Sequence, residues 1–155
     1  MTGTRNRVEV LHGVNLDMLG KRDSNHYGTL TLVELEVRIR HWSRQLGLEA
    51  SFFHTNSEGE FVERLHQAPQ LTDGLVLNAG AWTHYSYAIR DALEIAGMPA
   101  IEVHLSDVDR REEWRRHSVL ADLVTGRVAG KGPDGYHEAL EMLAGELGIE
   151  PPSAA

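Results

Sequence analysis

Strand-like and helix-like segments alternate five times along this chain of 155 residues. Short apolar runs, several rich in β-branched residues, predict five strands, at residues 7–12, 51–54, 75–78, 99–105 and 126–130. Apolar residues at helical spacing, or in one case a charged run, predict a helix after each strand, at residues 32–46, 59–67, 88–97, 109–117 and 133–147. This alternation predicts an α/β fold in which a five-stranded parallel sheet is covered by helices on both faces.

Local signals support two of the predicted helix starts. Two pairs of residues have the spacing of a capping box, Thr31 with Glu34 and Ser57 with Glu60. No composition change or linker divides the chain. We therefore predict a single domain over residues 1–155, with a core at about residues 7–148 and flexible termini.

The composition excludes several classes of function. The formal net charge is -8, which argues against binding to nucleic acid because that needs a basic face. No apolar run approaches the roughly 18–20 residues that cross a bilayer, and the polar N-terminus lacks the apolar segment of a secretory signal. The absence of cysteine excludes a disulfide scaffold and a thiolate metal site. We expect a cytoplasmic protein that binds neither nucleic acid nor membranes.

A long polar segment, residues 13–28, separates the first predicted strand from the first helix. Ordinary connections in such folds have about 2–6 residues, and longer ones are often binding loops. The segment contains Arg22 and Tyr27, and a tyrosine can act as a general base where a nearby cation favours the phenolate. It is either a mobile polar loop or a lid that brings a cation and a phenol over the sheet.

Polar side chains collect where four of the predicted strands end. They are His12 and Asn15 after the first strand, His54, Asn56 and Ser57 after the second, Asn78, Thr83 and His84 after the third, and Glu102, His104 and Ser106 in and after the fourth. The carboxyl ends of parallel strands share one edge of the sheet, and ligands bind at that edge. The sequence therefore predicts a functional site there.

Glu102 and His104 alternate with apolar residues in the fourth strand, so they share one face of it. A carboxylate and an imidazole are unfavourable to bury without partners. We interpret them as a dyad in which Glu102 orients and charges His104, the alternative being a structural ion pair.

The other histidines do not predict a metal site. The nine histidines include no HExxH motif and no ligand pair at i and i+4. We expect His54 to be structural and His41 and His66 to be solvated, while His12 could either end a strand or belong to the site. Because the chain also lacks GxGxxG and GxxxxGK[ST], we expect no metal and no cofactor.

Five segments of the chain match one family in order. They are HGVNLDMLGKRDSNHYG (12–28), HTNSEGE (54–60), NAGAWTHYSYAIRDAL (78–93), IEVHLSDVDRREEWRRHS (101–118) and GKGPDGYHEAL (130–140). On these motifs the chain resembles the type II 3-dehydroquinate dehydratases over about residues 8–147. The resemblance implies a flavodoxin-like three-layer sandwich and a cofactor-free syn dehydration of 3-dehydroquinate, or a close analogue, through an enolate.

The resemblance also implies roles for single residues. Tyr27 corresponds to the family's base, Arg22 to the lid arginine that activates it, and His104 to the general acid, with Glu102 as its partner. Asn15 corresponds to the residue that places the water stabilising the enolate. The positions that match substrate-binding residues are Asn78, His84, Leu105, Ser106 and Arg115. Asp91 matches an acidic residue that reaches a neighbouring subunit, and the family assembles as a homo-oligomer, a dodecamer.

The chain departs from the family pattern in three places. The first loop usually reads Asn-Gly-Pro-Asn-Leu, but here it is His12-Gly13-Val14-Asn15-Leu16; Ser24 stands for a proline, and Trp82 for a common tyrosine. Val14 lacks the fixed φ of proline. Two alternatives therefore stay open: a paralogue that dehydrates a related carbocycle such as an amino analogue, and a non-catalytic descendant that binds a small molecule.

Overall fold

A computed structural model of the chain describes residues 4–152. Of the predicted flexible termini, residues 1–3 and 153–155 lie outside the described residues. None of the helices within 4–152 is long and apolar enough to cross a membrane.

Five strands form one parallel sheet. They are β1 (Arg7–His12), β2 (Glu49–His54), β3 (Gly74–Asn78), β4 (Ala100–His104) and β5 (Gly126–Ala129), in the order β2-β1-β3-β4-β5. Every pair of neighbours is parallel, which confirms the predicted α/β fold and its flavodoxin-like arrangement. The order of the strands reverses between β1 and β3, and such a switch point leaves a crevice at the carboxyl ends of the strands.

Five helices connect or follow the strands: α1 (Ser24–Tyr27), α2 (Leu32–Gln45), α3 (Glu58–Leu71), α4 (Tyr87–Ala96) and α5 (Asp134–Leu147). The predicted caps are present, because the side chains of Thr31 and Ser57 accept hydrogen bonds from the backbone NH groups of Glu34 and Glu60. The short helix α1 within residues 13–28 was not predicted. Its four residues are too few to show a period.

The prediction of a short helix at residues 109–117 was wrong. This segment contains two separate 3-10 turns, Val108–Arg110 and Glu113–Arg115. Only Val108 of these six residues is buried, so no continuous apolar face is available to stabilise a longer helix against the core.

The helices cover the sheet in two layers. Val8 and Val10 belong to the apolar cluster beneath α2 and α5, whereas Leu75 and Leu77 belong to the cluster beneath α3 and α4. We call these the α2/α5 face and the α3/α4 face. Since side chains alternate along a strand, neighbouring residues at a strand end reach the site from opposite faces of the sheet.

Tyr136 on α5 is fully buried on the α2/α5 face. Burial raises the pKa of its phenol to about 12, opposed by the hydrogen bond with Asn78. The folded protein therefore keeps Tyr136 neutral at pH values where an unfolded chain would ionise it, and folding is progressively less favoured as the pH rises above about 10.

We predict that Tyr136→Phe makes the free energy of unfolding less sensitive to alkaline pH. Between pH 9 and 11 the wild-type protein should lose about 1 kcal/mol more stability than the variant, because only the wild type carries this suppressed ionisation. Urea unfolding at several pH values measures the difference. If the two free energies fall in parallel, Tyr136 is not responsible for the alkaline loss.

Candidate active site

A cavity of about 90 Å³ opens at the carboxyl ends of β1, β3 and β4. Its lining residues are Val14, Asn15, Leu16, Arg22, Tyr27, Asn78, Gly80, Ala81, His84, His104, Leu105, Ser106, Val108, Arg111 and Arg115. All the residues to which the resemblance gives a role, except Glu102 and Asp91, are among them, whereas His12, His54, Asn56, Ser57 and Thr83 are not. Glu102 is fully buried behind His104, and Asp91 is exposed on α4.

The loops after β1 and β3 cross so closely that glycine is required at the crossing. The NH of Gly13 donates to the carbonyl of Asn78 at 2.7 Å, and a Cβ on Gly13 would lie 2.6 Å from backbone atoms of Ala79. Gly80 has a φ of +63°, and a Cβ there would lie 2.6 Å from the carbonyl oxygen of Val14. This contact fixes the start of the loop that carries Asn15.

Asn15 itself adopts a left-handed backbone conformation with φ of 69°. Asparagine tolerates this conformation better than most residues. Its NH donates to the Oδ1 of Asn56 at 2.8 Å, so the loop after β2 holds the loop after β1 in place. Asn56 is one of the polar residues that the sequence places at this edge of the sheet, and this contact is with the backbone of the neighbouring loop.

Asn78 ends β3 with both ends of its amide engaged. Its Oδ1 accepts from the NH of Gly80 at 3.0 Å, and its Nδ2 donates to the hydroxyl of Tyr136 at 3.4 Å. The two contacts define which way the amide points. They orient a polar group beside the cavity before any ligand arrives.

Glu102 and His104 are in contact, as their shared face predicts. The Nε2 of His104 lies 2.6 Å from the Oε2 of Glu102. Two further donors reach the same carboxylate: the hydroxyl of Ser118 donates to Oε1 at 2.8 Å and the Nε of Arg127 to Oε2 at 3.0 Å. Because Nε2 is occupied by Glu102, Nδ1 is the ring nitrogen of His104 that remains for a ligand.

Burial of Glu102 opposes its ionisation, but the hydrogen bonds from His104 and Ser118 and the charge of Arg127 outweigh that effect and lower the pKa of the carboxyl. The group is therefore a carboxylate at neutral pH. A buried negative charge of this kind stabilises a positive charge on the adjacent imidazole.

His84 stacks beside His104, with ring centroids 6.1 Å apart. Its Nδ1 donates to the carbonyl of His117 at 2.7 Å, and the edge of Trp114 packs on the ring. Burial lowers the pKa of His84, assisted by the positive charges of His104 and Arg115 and opposed by the bond to His117. His84 is thus neutral at physiological pH, and its Nε2 can accept a hydrogen bond.

The long segment 13–28 does place a cation and a phenol at the cavity, and we call it the lid. Arg22 lies over the ring of Tyr27, 3.7 Å from its centroid. The phenolic oxygen is contacted by a different cation, because the Nη1 of Arg111 donates to it at 2.5 Å and also to the hydroxyl of Ser106 at 3.3 Å. Arg22 therefore lies close to Tyr27, as the lid interpretation expects, but it covers the face of the ring and Arg111 contacts the oxygen.

Sequence reasoning did not assign the roles of three residues that support these groups. Arg111 is one of four arginines in the charged run 107–116, of which one or two are expected to bind substrate oxygens, and the two 3-10 turns that hold the run have no period that would single it out. Ser118 and Arg127 reach Glu102 from a loop and from β5. Only knowledge of the strand order, which places β5 beside β4, could have suggested Arg127.

The cavity is suited to a hydroxylated anion. Three guanidinium groups line it, those of Arg22, Arg111 and Arg115, and no carboxylate is among its lining residues. Neutral hydrogen-bonding groups of asparagine, serine and histidine complete the wall. Within residues 4–152, no group of three or more acidic or histidine side chains is arranged to hold a metal ion.

The remaining histidines lie outside the cavity. His12 is fully buried on the α2/α5 face, with its Nε2 3.0 Å from Glu36 on α2. The Nε2 of His54 lies 3.6 Å from the Oδ1 of Asp17. His41 and His66 are exposed, as expected. The sequence did not decide whether His12 belongs to the site. The structure shows that His12 links the end of β1 to α2 through Glu36 and does not line the cavity.

Comparison with known proteins gives one consistent result. A family model described as dehydroquinase class II matches residues 6–144. The chain is 50% identical over 145 residues to a 3-dehydroquinate dehydratase of Syntrophotalea carbinolica, covering 93% of this chain and 98% of the relative.

Solved structures agree. A type II dehydroquinase from Butyrivibrio crossotus is similar with a TM-score of 0.87 and 39% identity, covering 91% of this chain and 99% of the other. Another from Propionibacterium acnes has a TM-score of 0.86 and 42% identity, covering 93% and 99%.

Proposed function

The chain belongs to the class II dehydroquinase family, and we propose that it removes water from 3-dehydroquinate to give 3-dehydroshikimate through an enolate. The observation that carries this proposal is the cavity itself, which combines a phenol held by two guanidiniums with a histidine held by a buried glutamate. Elimination next to a ketone needs a base for the carbon-bound proton and an acid for the departing hydroxyl. The cavity offers one group for each task.

Tyr27 is the base in this proposal. Its oxygen contacts the guanidinium of Arg111, and its ring lies under that of Arg22. Both guanidiniums thus lie where they can stabilise a negative charge on the phenolic oxygen during proton transfer. The phenolate takes the proton from the carbon next to the ketone, and the electron pair left behind forms the enolate.

His104 is the acid. Its Nε2 is held by Glu102, whose charge stabilises the imidazolium, so the proton delivered to the departing hydroxyl comes from Nδ1. Proton transfer turns hydroxide into water as the leaving group. The electron pair of the enolate returns to form the carbon–carbon double bond and restores the ketone.

The remaining polar groups bind the substrate. Arg115 is a cation available to the substrate carboxylate, and Ser106, Asn78 and His84 are available to its hydroxyls. Asn15 supports the enolate oxygen through a water. These donors are fixed by the fold, so they need not reorganise as negative charge develops on the enolate oxygen. They therefore stabilise the transition state more than mobile donors would.

The geometry leads us to revise the expected syn course of the elimination. Tyr27 packs against the cluster on the α2/α5 face, whereas Glu102 and His104 alternate with Ile101, Val103 and Leu105 of that cluster and so lie on the α3/α4 face. Base and acid thus approach the cavity from opposite sides of the sheet. This favours loss of the proton and the hydroxyl from opposite faces of the substrate ring, an anti elimination.

A related carbocycle is the rival substrate, suggested by the altered first loop. His12 contacts Glu36 and is not among the residues that line the cavity. Val14 does line the cavity, but an aliphatic side chain gives no specific partner for an amino group. The structure therefore favours 3-dehydroquinate.

We also propose that the chain forms a dodecamer in which Asp91 reaches the site of a neighbouring subunit. Asp91 lies between Tyr87 and Ile95 on one face of α4, and these two side chains are 67% and 71% exposed. A partly apolar exposed face of this kind is suited to contact with another copy of the chain. Native mass spectrometry should find twelve subunits, and a monomeric mass would contradict this proposal.

We predict that Tyr27→Phe reduces the turnover of 3-dehydroquinate roughly 10²- to 10⁴-fold, the usual contribution of one proton-transfer group. The rise in enone absorbance measures the reaction. Tyr85→Phe is the matched control, because Tyr85 is exposed and does not line the cavity. No turnover by the wild-type protein would overturn the proposed activity, and equal turnover by Tyr27→Phe would overturn the assigned base.

We predict that Glu102→Gln lowers kcat roughly 10- to 100-fold with little change in KM, because the neutral amide no longer stabilises a charged His104 in the acid step. Glu9→Gln is the matched control, since Glu9 is also buried on a strand and paired with an arginine, Arg64, but far along β1 from the cavity. A variant Glu102→Gln with unaltered kcat would contradict the dyad.

A further inference from the structure

Arg127 on β5 contacts the oxygen of Glu102 that also holds His104. Its Nε lies 3.0 Å from Oε2, and the Nε2 of His104 lies 2.6 Å from the same atom. Building on the proposed function, we propose that Arg127 is a positioning residue for the acid: it shares the Glu102 carboxylate with His104 and weakens the hold of Glu102 on the His104 proton.

The contact between Arg127 and Glu102 differs in geometry from another arginine–glutamate pair of the same sheet, Arg64 with Glu9. Arg64 and Glu9 form two bonds, Nε to Oε1 at 2.7 Å and Nη2 to Oε2 at 2.6 Å, the bidentate arrangement that stabilises such pairs. Arg127 makes a single bond through Nε, and its Nη2 is buried without a partner among the described residues. The carboxylate of Glu102 is instead divided among Arg127, His104 and Ser118.

Sharing an oxygen has a predictable electrostatic effect. A carboxylate that also faces a guanidinium presents less negative potential to the imidazole beside it. The imidazolium of His104 is then less stabilised and gives up its proton more readily. Arg127 therefore favours transfer of that proton to the departing hydroxyl, while Ser118 keeps Glu102 oriented through its other oxygen.

Other ionisable groups face this dyad and stay unchanged when Arg127 is replaced. His84 stacks on His104 from the turn after β3, and the charge of Arg115, in the 3-10 turn Glu113–Arg115, acts on His84. A difference between wild type and an Arg127 variant therefore reports on Arg127 alone.

The test compares Arg127→Leu, Arg127→Lys and the matched control Arg64→Leu, which removes an equally exposed arginine from a buried glutamate away from the site. The pH titration of the His104 ring is followed by NMR on protein with ¹³C-labelled histidine, with His104→Gln to assign the signal. In Arg127→Leu the titration midpoint should rise by roughly 0.5 to 1 pH unit, and kcat for 3-dehydroquinate should fall roughly 2- to 10-fold at constant KM. Arg127→Lys keeps the positive charge, so its titration midpoint and its kcat should be closer to those of the wild-type protein.

Two results would overturn the proposal: an unchanged midpoint in Arg127→Leu, or an equal rise in Arg64→Leu. The NMR titration does not depend on turnover. A wild-type protein that fails to dehydrate 3-dehydroquinate would overturn the proposed function, while the midpoints would still decide whether Arg127 acts on His104.

Discussion

The buried carboxylate of Glu102 is the group on which the site depends. Removing a carboxylate from water is strongly unfavourable unless donors replace the lost hydration. Three donors do so here, from His104, Ser118 and Arg127, and they come from β4 itself, from the loop before β5 and from β5. The charge at the centre of the α3/α4 face thereby fixes the histidine, the neighbouring loop and the neighbouring strand relative to one another.

The alternation of side chains along a parallel strand places the groups of the site on both faces of the sheet. Alternation along β4 sends His104 to one face and Val103 to the other, while the lid brings Tyr27 against the α2/α5 face. The proposed acid, His104, and the proposed base, Tyr27, therefore meet at one cavity while each is held by its own set of contacts. The close crossing at Gly13 and Gly80 keeps the ends of β1 and β3 at the distance that this cavity needs.

Periodic features could be predicted from the sequence, and features held by loops could not. The five strands, the caps at Thr31 and Ser57 and the Glu102–His104 contact all follow from short-range rules of spacing. The part played by Arg111 depends on how two 3-10 turns fold back over the lid, for which the chain carries no repeating signal. The resemblance to a known family placed Tyr27 and Arg22 at the site, but only the structure shows which guanidinium contacts the phenolic oxygen.

In the proposed mechanism, Tyr27 as base and His104 as acid act from opposite faces of the sheet, which gives an anti elimination. The most direct test uses 3-dehydroquinate with deuterium at one of the two hydrogen positions on the carbon that loses its proton, and mass spectrometry of the product measures whether the label is retained. An anti elimination removes the hydrogen that lies on the ring face opposite to the departing hydroxyl. Loss of the hydrogen on the same face as the hydroxyl would contradict it.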